Sequence, residues 1–562
     1  MKYVIIGAVA GGASTAARLR RNDEHAEIVI FEKGEYISYA NCGLPYYIGN
    51  VITNRNALFV QTAASFNKRF NIDVRTLTEV TEINRSSKTV TARNQTTGEV
   101  YEEQYDKLVL SPGAEPVRPP LPGISGKGIF TLRNVADTDF IKSYVLKEET
   151  KKAVVIGAGF IGLEMAENLH SLGLDVTVIE MAPQVLTPVD FPIAAILQQH
   201  IRSKGVHLEL NTSVTGFEQT ETGIQVVLST GHVLDSDIVI LSIGVKPDTR
   251  LATQADLKIG AAKGIYVNEY LQTSDPDIYA VGDAIEYTNP ITGKSMITYL
   301  AGPANKQGRI CADNLVFGNH HSYKGSINTA IVKVFDMTVG TAGTSSRQLQ
   351  LANISHQVST ITSGSHAGYY PGSKQMTIQL AFTPGTGRLL SAQVVGYDGV
   401  DKRLDILSSI IQHDGTIAEL TEFEHAYAPP FSSAKDPVNM AGFAAENILQ
   451  KRSVLFYWNE FDKITPQDVL LDVRTKNEYN AGRIMDAINI PLDELRSRLD
   501  ELPAGKTVYI YCLGGLRGYL AQRILMQEGY SDTLNLSGGY QLWKTCMLET
   551  PVKERKIEYQ NL

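Results

Sequence analysis

Two of the four cysteines in the 562-residue chain stand in surroundings suited to sulfur chemistry. Cys42 lies in ISYANCGLPYYIG, and Cys512 lies in the glycine-rich stretch YCLGGLRG. Neither has a second cysteine two or four places away, so neither forms a local disulfide. A lone thiol so placed is a candidate nucleophile or redox centre, and one chemistry open to it is with a sulfur that another molecule brings. Thiolate attack on a sulfur–sulfur bond then leaves a mixed disulfide on the protein. The nucleophile is the thiolate, so such a site calls for a lowered thiol pKa. Cys311, in KQGRICADNL, reads as a helix-core residue, and Cys546, in WKTC, has no catalytic context.

The elements that must position Cys42 begin at residue 2. KYVIIGAVAGGASTAARLR reads as a buried strand, a glycine turn and a helix, and KAVVIGAGFIGLEMAENL at Lys152–Leu169 repeats the pattern. Each is followed by a second strand ending in an acid, AEIVIFEK at Glu32 with Lys33 and DVTVIE at Glu180. Glycines let the backbone approach a pyrophosphate, the helix start offers N–H groups and a positive dipole end, and the acid accepts from ribose hydroxyls. Gly157, Gly159 and Gly162 form the cleaner fingerprint; the first keeps Gly7 and Gly12, has Val9 in the middle and adds Gly11. Two dinucleotide sites imply a flavin and a nicotinamide. A carboxylate at Glu180 suits a free 2′-hydroxyl, and no arginine follows it in EMAPQ, which favours NADH over NADPH. Cys42, about ten residues beyond Glu32, is delivered towards the flavin site.

Composition bounds the rest. At 43% hydrophobic and 20% charged the chain reads as a globular protein of several α/β domains. A formal charge of −8 argues against a nucleic-acid binder. No apolar run approaches the ~20 residues of a membrane span. The start reads as a strand and turn rather than a signal peptide. Four scattered cysteines are no secreted disulfide framework, so a reducing, cytoplasmic home is expected. After Ser326, NTAIVKVFDMTVGTAG and QMTIQLAFTPGTGRLLSAQVVGYDG alternate with period two, as antiparallel strands do, and DKRLDILSSIIQHDGTIAELTEF reads as helix.

The pattern SxxNCGLPYYIG resembles the single-cysteine branch of the pyridine-nucleotide disulfide reductase superfamily. Within it the chain is similar to coenzyme A disulfide reductases and to their relatives fused to a rhodanese domain, the CoA- or NADH-dependent persulfide reductases. LSPGA (Leu110–Ala114), TSDPDIYAVGDA (Thr273–Ala284), HAGYYPG (His366–Gly372), GYDGVDKRLD and YAPPFSSAKD (Tyr427–Asp436) carry the likeness further. The resemblance implies FAD contacts at Gly7, Ala10, Gly11, Gly12, Glu32, Lys33, Pro112, Gly282, Asp283 and Ala301. It implies NADH at Gly157, Gly159, Gly162 and Glu180. Cys42 would cycle between a thiolate and a mixed disulfide with CoA. Tyr427 and Tyr370, or its neighbour Tyr369, would reach the sulfur from the other subunit of a homodimer. CoA contacts would come from Ser14, Arg18, Arg21, Ser38, Asn41, Lys68 and Lys435. The family's lysine is displaced in NKRF, where Phe70 takes the aligned place.

LLDVRTKNEYNAGRIMDAINIP (Leu470–Pro491) followed by YIYCLGGLRG resembles a rhodanese domain, whose six-residue loop starts with cysteine and ends with arginine, here Cys512 and Arg517. Successive backbone N–H groups would stabilise a thiolate or persulfide there. Arg517 would hold the anionic part of a sulfur donor. Arg483 and Leu513 replace a histidine and an arginine common in such domains, which speaks against thiosulfate. The implied organisation is a split FAD-binding domain at 1–115 and 246–325, an NAD(H)-binding domain at 116–245, an α+β dimerisation domain at 326–447, a linker at 448–462 and an α/β rhodanese domain at 463–562. The expected activity is reduction of CoA persulfide or polysulfide by NADH, FAD and Cys42, with sulfane sulfur carried on Cys512. Plain CoA disulfide reduction is the alternative within the family. An NADH oxidase or peroxidase is a third reading, but related peroxidases carry a histidine where this chain has Ala10. The expected partners are small molecules, with no metal, nucleic acid or membrane.

Overall fold

The apolar run Lys2–Ile6 forms the central strand of a five-stranded parallel sheet in the computed structural model, which describes residues 1–551 and the backbone of residues 559–560. The strand order is Asp73–Arg75, Glu27–Phe31, Lys2–Ile6, Lys107–Leu110, Ile278–Ala280. Strands covered on both faces are apolar throughout rather than alternating, and Val4, Ile5, Ile30, Leu108 and Ala280 are all fully buried. A second parallel sheet runs His207–Glu209, Asp175–Ile179, Lys152–Ile156, Ile238–Leu241, Ile129–Thr131. Each sheet is accompanied by a three-stranded antiparallel meander, Thr78–Gln104 and Val214–Ser236. These elements belong to one unit, residues 1–181 with 206–328.

The second unit comprises residues 182–205 and the chain from 329 onward. Its first sheet is antiparallel, in the order Ala330–Val334, Met337–Gly343, Leu389–Gly396, Gln375–Phe382, Gln357–Gly364. The period-two polar residues of its central strands do not face water. Thr377, Gln379, Ser391 and Gln393 are buried. Gln379 and Gln393 donate to the Asp190 carboxylate at 2.7 Å each, and Asp190 N–H donates to Gln393. Asp190 opens the helix Phe191–Ser203, whose apolar face meets the C-terminal domain: Phe191 stacks on Trp458 at 5.0 Å, and Ala195 packs with Leu542 and Cys546.

That C-terminal domain carries a parallel sheet in the order Leu455–Phe456, Thr533–Leu536, Val508–Tyr511, Val469–Asp472, Ile488–Asn489. Arg474 is buried, paired with Asp472 and lying 4.1 Å over the Tyr540 ring. Among the described residues no helix is long and apolar enough to cross a membrane.

Candidate active site

The two glycine turns are built alike. Gly7 and Gly157 have φ of +97° and +102°, and a Cβ would stand 2.1 and 2.3 Å from the carbonyl oxygens of Ser111 and Ser242. Only glycine reaches that conformation and that approach without strain. Gly12 and Gly162 press each helix onto its turn, with the added Cβ only 1.9 and 2.0 Å from the carbonyls of Gly7 and Gly157. Glu32 and Glu180 accept from the N–H of Ala8 (2.9 Å) and Ala158 (2.8 Å), so each acid stands at its own turn. Neither Val9 nor Gly159, the residues that open the helices Ala10–Asn22 and Phe160–Ser171, caps its helix with a side chain. The first N–H groups of both helices are left for a ligand, as a pyrophosphate site requires.

A cavity of about 610 Å³ opens at the C-terminal ends of the first sheet. Its lining includes Gly7, Ala10, Gly11, Glu32, Lys33, Pro112, Gly282 and Asp283. A Cβ on Gly11 would come within 2.9 Å of Val281 and fill the cradle. The volume is within the usual range for a cofactor site, about 300–1,000 Å³, and the donor set suits a flavin dinucleotide. Gly282 N–H donates to Gln307 at 2.7 Å, which fixes the turn that presents Asp283. Burial raises the Asp283 carboxyl pKa against the pull of Arg133.

Cys42 sits in the turn Asn41–Gly43, which runs directly into the helix Leu44–Ile48. Ser38, at φ 44°, turns the chain: its N–H donates to the Ala8 carbonyl and its own carbonyl accepts from Val60. Asn41 lines the cavity, and Cys42 is exposed to solvent. The thiol nevertheless stands among enough protein to be partly desolvated. Burial first, then the carboxylates of Glu164 and Asp283, raise its pKa, while a backbone hydrogen bond lowers it. The lowered pKa expected from the sequence is thus not supplied by these surroundings. The helix that follows Cys42 lies so close to Phe160–Ser171 that a Cβ on Gly49, at its C-terminal end, would fall 2.0 Å from Asn168 Oδ1. Tyr46 donates to Glu164 Oε1 at 3.3 Å. Burial, together with Glu167, lifts the Glu164 carboxyl to about 7 despite that hydrogen bond.

In the second unit Tyr369, Tyr370, Tyr427, Phe431 and Lys435 are exposed. The Tyr369 and Tyr427 hydroxyls are hydrogen-bonded at 2.8 Å, whereas Tyr370 meets the His366 ring edge-on. In the C-terminal domain Cys512 is buried at the end of Val508–Tyr511, and Gly515 N–H donates to its sulfur at 3.0 Å. Arg517 is held by a two-pronged ion pair with Glu478, at 2.8 and 2.6 Å. That pair, with the Thr475 cap, holds the Glu478 carboxyl down at about 2.

Residues 1–308 match the family Pyridine nucleotide-disulphide oxidoreductase. The chain belongs to this family. Residues 329–437 match the family's dimerisation domain, and residues 457–546 match the rhodanese-like domain. A coenzyme A disulfide reductase of Staphylococcus haemolyticus is 38% identical over 447 residues, 80% of this chain and all of that protein. Among solved structures, the reduced CoADR-RHD of Bacillus anthracis superposes with a TM-score of 0.95 at 49% identity, covering 98% of each chain. A NAD-dependent persulfide reductase from A. fulgidus follows with 0.90 at 39%, covering 97% of this chain and 100% of that one. The protein is a single-cysteine pyridine nucleotide-disulphide oxidoreductase fused to a rhodanese domain, an enzyme acting on a sulfur group with FAD and NADH as cofactors.

The structure sorts the remaining sequence expectations. Ala301 is exposed and does not line the cavity; Ala304, one turn on, does. Gly12 packs helix on turn instead of facing the cavity. Ser14 and Arg18 are partnered, with Asn305 and with Asp313, and Arg20 between Arg18 and Arg21 is buried against four backbone carbonyls. Arg21 and Lys68 are exposed, and Phe70 packs on the core. Cys311 and Cys546 are fully buried core residues. Sequence reasoning missed Tyr46, Glu164, Arg133, Gln307 and Glu478. For Glu478 a signal was present, in the DVRTKNEY stretch that opens the rhodanese likeness; Tyr46 and Glu164 lie inside the quoted NCGLPYYIG and GAGFIGLEMAENL stretches, but nothing local pairs them.

Proposed function

We propose that the enzyme reduces coenzyme A persulfide, or a polysulfide, to coenzyme A and sulfide at Cys42, and that Cys512 carries the sulfane sulfur. The observation that carries this reading is the presence in one chain of two different thiols. One is exposed beside a dinucleotide cavity; the other is buried in a glycine loop with a backbone N–H on its sulfur. The Cys42 thiolate attacks the CoA-side sulfur of the persulfide, a Cys42–CoA disulfide forms, and hydrosulfide leaves. FAD, which Gly7, Glu32, Gly282 and Asp283 would hold, would supply the two electrons of NADH there; cleavage of the disulfide returns the Cys42 thiolate and the CoA thiolate. Exposed Arg21 and Lys68 suit the CoA phosphates, with Ser38 and Asn41 beside the reacting sulfur. Tyr427, hydrogen-bonded to Tyr369 on an exposed aromatic patch, suits proton delivery across a homodimer interface. A reducing, cytoplasmic setting suits two working thiols. The printed name of the A. fulgidus neighbour supports the persulfide reading.

Coenzyme A disulfide reduction is the second reading, favoured by the name of the Staphylococcus haemolyticus relative, which the chain covers completely. Anaerobic NADH consumption with each substrate, recording sulfide, separates the two. Persulfide should be preferred, with about one sulfide per NADH, as the two-electron balance requires. Cys42→Ser should abolish turnover. Clear preference for the disulfide with no sulfide would overturn the persulfide reading.

A further inference from the structure

The GYDGVDKRLD stretch has no part in the chemistry at Cys42 or Cys512, yet its arginine is buried. Arg403 stands in the helix Val400–Gln412. Its guanidinium donates to the Ser365 carbonyl at 2.8 Å and to the Phe431 carbonyl at 3.4 Å. Ser365 lies four residues before Tyr369, and Phe431 lies four residues after Tyr427. The same guanidinium pairs with the Asp436 carboxylate at 2.8 Å, and Asp436, also buried, accepts from the Ser432 hydroxyl. The two loops meet directly as well, where Ala367 N–H donates to the Ser432 carbonyl at 3.0 Å. We propose that Arg403, with Asp436, positions the Tyr369–Tyr427 hydroxyl pair by fixing the spacing of the two loops that carry it. The proposal rests on the reading of Tyr427 as a proton donor to sulfur and goes beyond it in naming what holds that donor in place.

Within one protomer the two tyrosine side chains are exposed, and their hydroxyls stand 2.8 Å apart. Packing does not hold them, so their place is set by the backbone beneath. A general acid must lie within hydrogen-bond reach of the atom it protonates, so that backbone has to be fixed. Three basic side chains surround Asp436: Arg403, Lys402 at 4.0 Å and the His425 ring at 3.7 Å. Of these, Arg403 alone donates to both loops among the described residues. Its planar fork of five N–H donors can hold a carboxylate and two carbonyls at once, which an ammonium or an imidazole cannot. Gly399 makes the room: at φ 65°, a Cβ there would stand 2.2 Å from Arg403 Nη1. Burial pushes the Asp436 carboxyl up, but hydrogen bonds from Arg403 and Ser432 hold it below its ordinary value, so the pair is charged. Removing either partner would leave the other charge buried and uncompensated, which makes the node rigid.

The test is anaerobic NADH turnover by the flavin-loaded holoenzyme, with CoA persulfide and with CoA disulfide. Arg403→Lys keeps a cation beside Asp436 and loses the fork. It should lower kcat about tenfold, since misplacing a reacting group by ~1 Å costs up to about 100-fold. Flavin reduction by NADH, which needs no tyrosine, should keep its wild-type rate. In a Tyr427→Phe background the same change should cost less than about twofold, because the hydroxyl that it positions is gone. Ser432→Ala removes the hydroxyl bonded to Asp436. It should lower kcat about two- to threefold, again without multiplying the loss from Tyr427→Phe, and it serves if Arg403→Lys fails to retain flavin. Wild-type kcat in the flavin-loaded variants, or losses that multiply with that of Tyr427→Phe, would overturn the proposal. Wild-type kcat in Tyr427→Phe itself would instead overturn the reading of Tyr427, a separate outcome.

Discussion

Arg517 was expected to greet an anionic sulfur donor, yet its guanidinium is already matched to a carboxylate. Glu478 takes both prongs and also serves the Thr475 capping box. With Leu513 and Leu516 exposed beside it, the rim of the Cys512 loop is apolar, which suits a thiol carried on a long neutral arm better than a small anion. Glu478→Gln keeps the capping geometry and releases the arginine. Thiosulfate:cyanide sulfurtransferase activity should therefore rise, and stability should fall by about 1 kcal/mol. The sign with pH follows from the depressed carboxyl. Its contribution is fully present above the unfolded value of about 4.3 and is lost as pH falls through about 2. The stability gap between wild type and Glu478→Gln should be constant above pH 5 and close between pH 4 and pH 2. Urea unfolding followed by tryptophan fluorescence reads this region, because both tryptophans, Trp458 and Trp543, lie in this part of the chain. A gap that does not change with pH would mean that the ion pair contributes nothing.

Helix contacts decide what the sequence reveals about the elements. The twin glycine turns were legible because everything that makes them is local: strand, turn, helix and acid follow within about 30 residues. The antiparallel sheet was legible from its period, but not the fate of its polar residues. Gln379 and Gln393 alternate as solvent-facing residues do, yet they bind Asp190, about 190 and 200 residues away. Tyr46 and Glu164 are likewise 118 residues apart, and no local pattern pairs a phenol with a carboxyl over that distance. The element contact that brings them together is testable at Gly49. Gly49→Ala should destabilise by about 1–3 kcal/mol, because the new Cβ meets Asn168 with no slack. Asn168→Ala removes the contacts at Oδ1 and Cγ but leaves its own Cβ at 2.6 Å, so it should relieve part of that loss in the double variant, with a coupling of about 0.5–1 kcal/mol. Additive effects in thermal unfolding would show that the two helices are not in fixed contact.

At the scale of the whole chain the family assignment and the fused rhodanese domain agree with the motifs. What composition could not show is the allegiance of residues 182–205. They follow Glu180, the acid at the second glycine turn, directly, yet they pack with the sheet and the C-terminal domain of the other unit. The chain therefore passes between its two units at 181/182, 205/206 and 328/329. Neither unit can be excised as one continuous gene segment. A protease that nicks the loop before Phe191 leaves two fragments, each holding parts of both units. The nicked protein should keep its flavin and run as one particle in gel filtration, and separate into two bands only after denaturation.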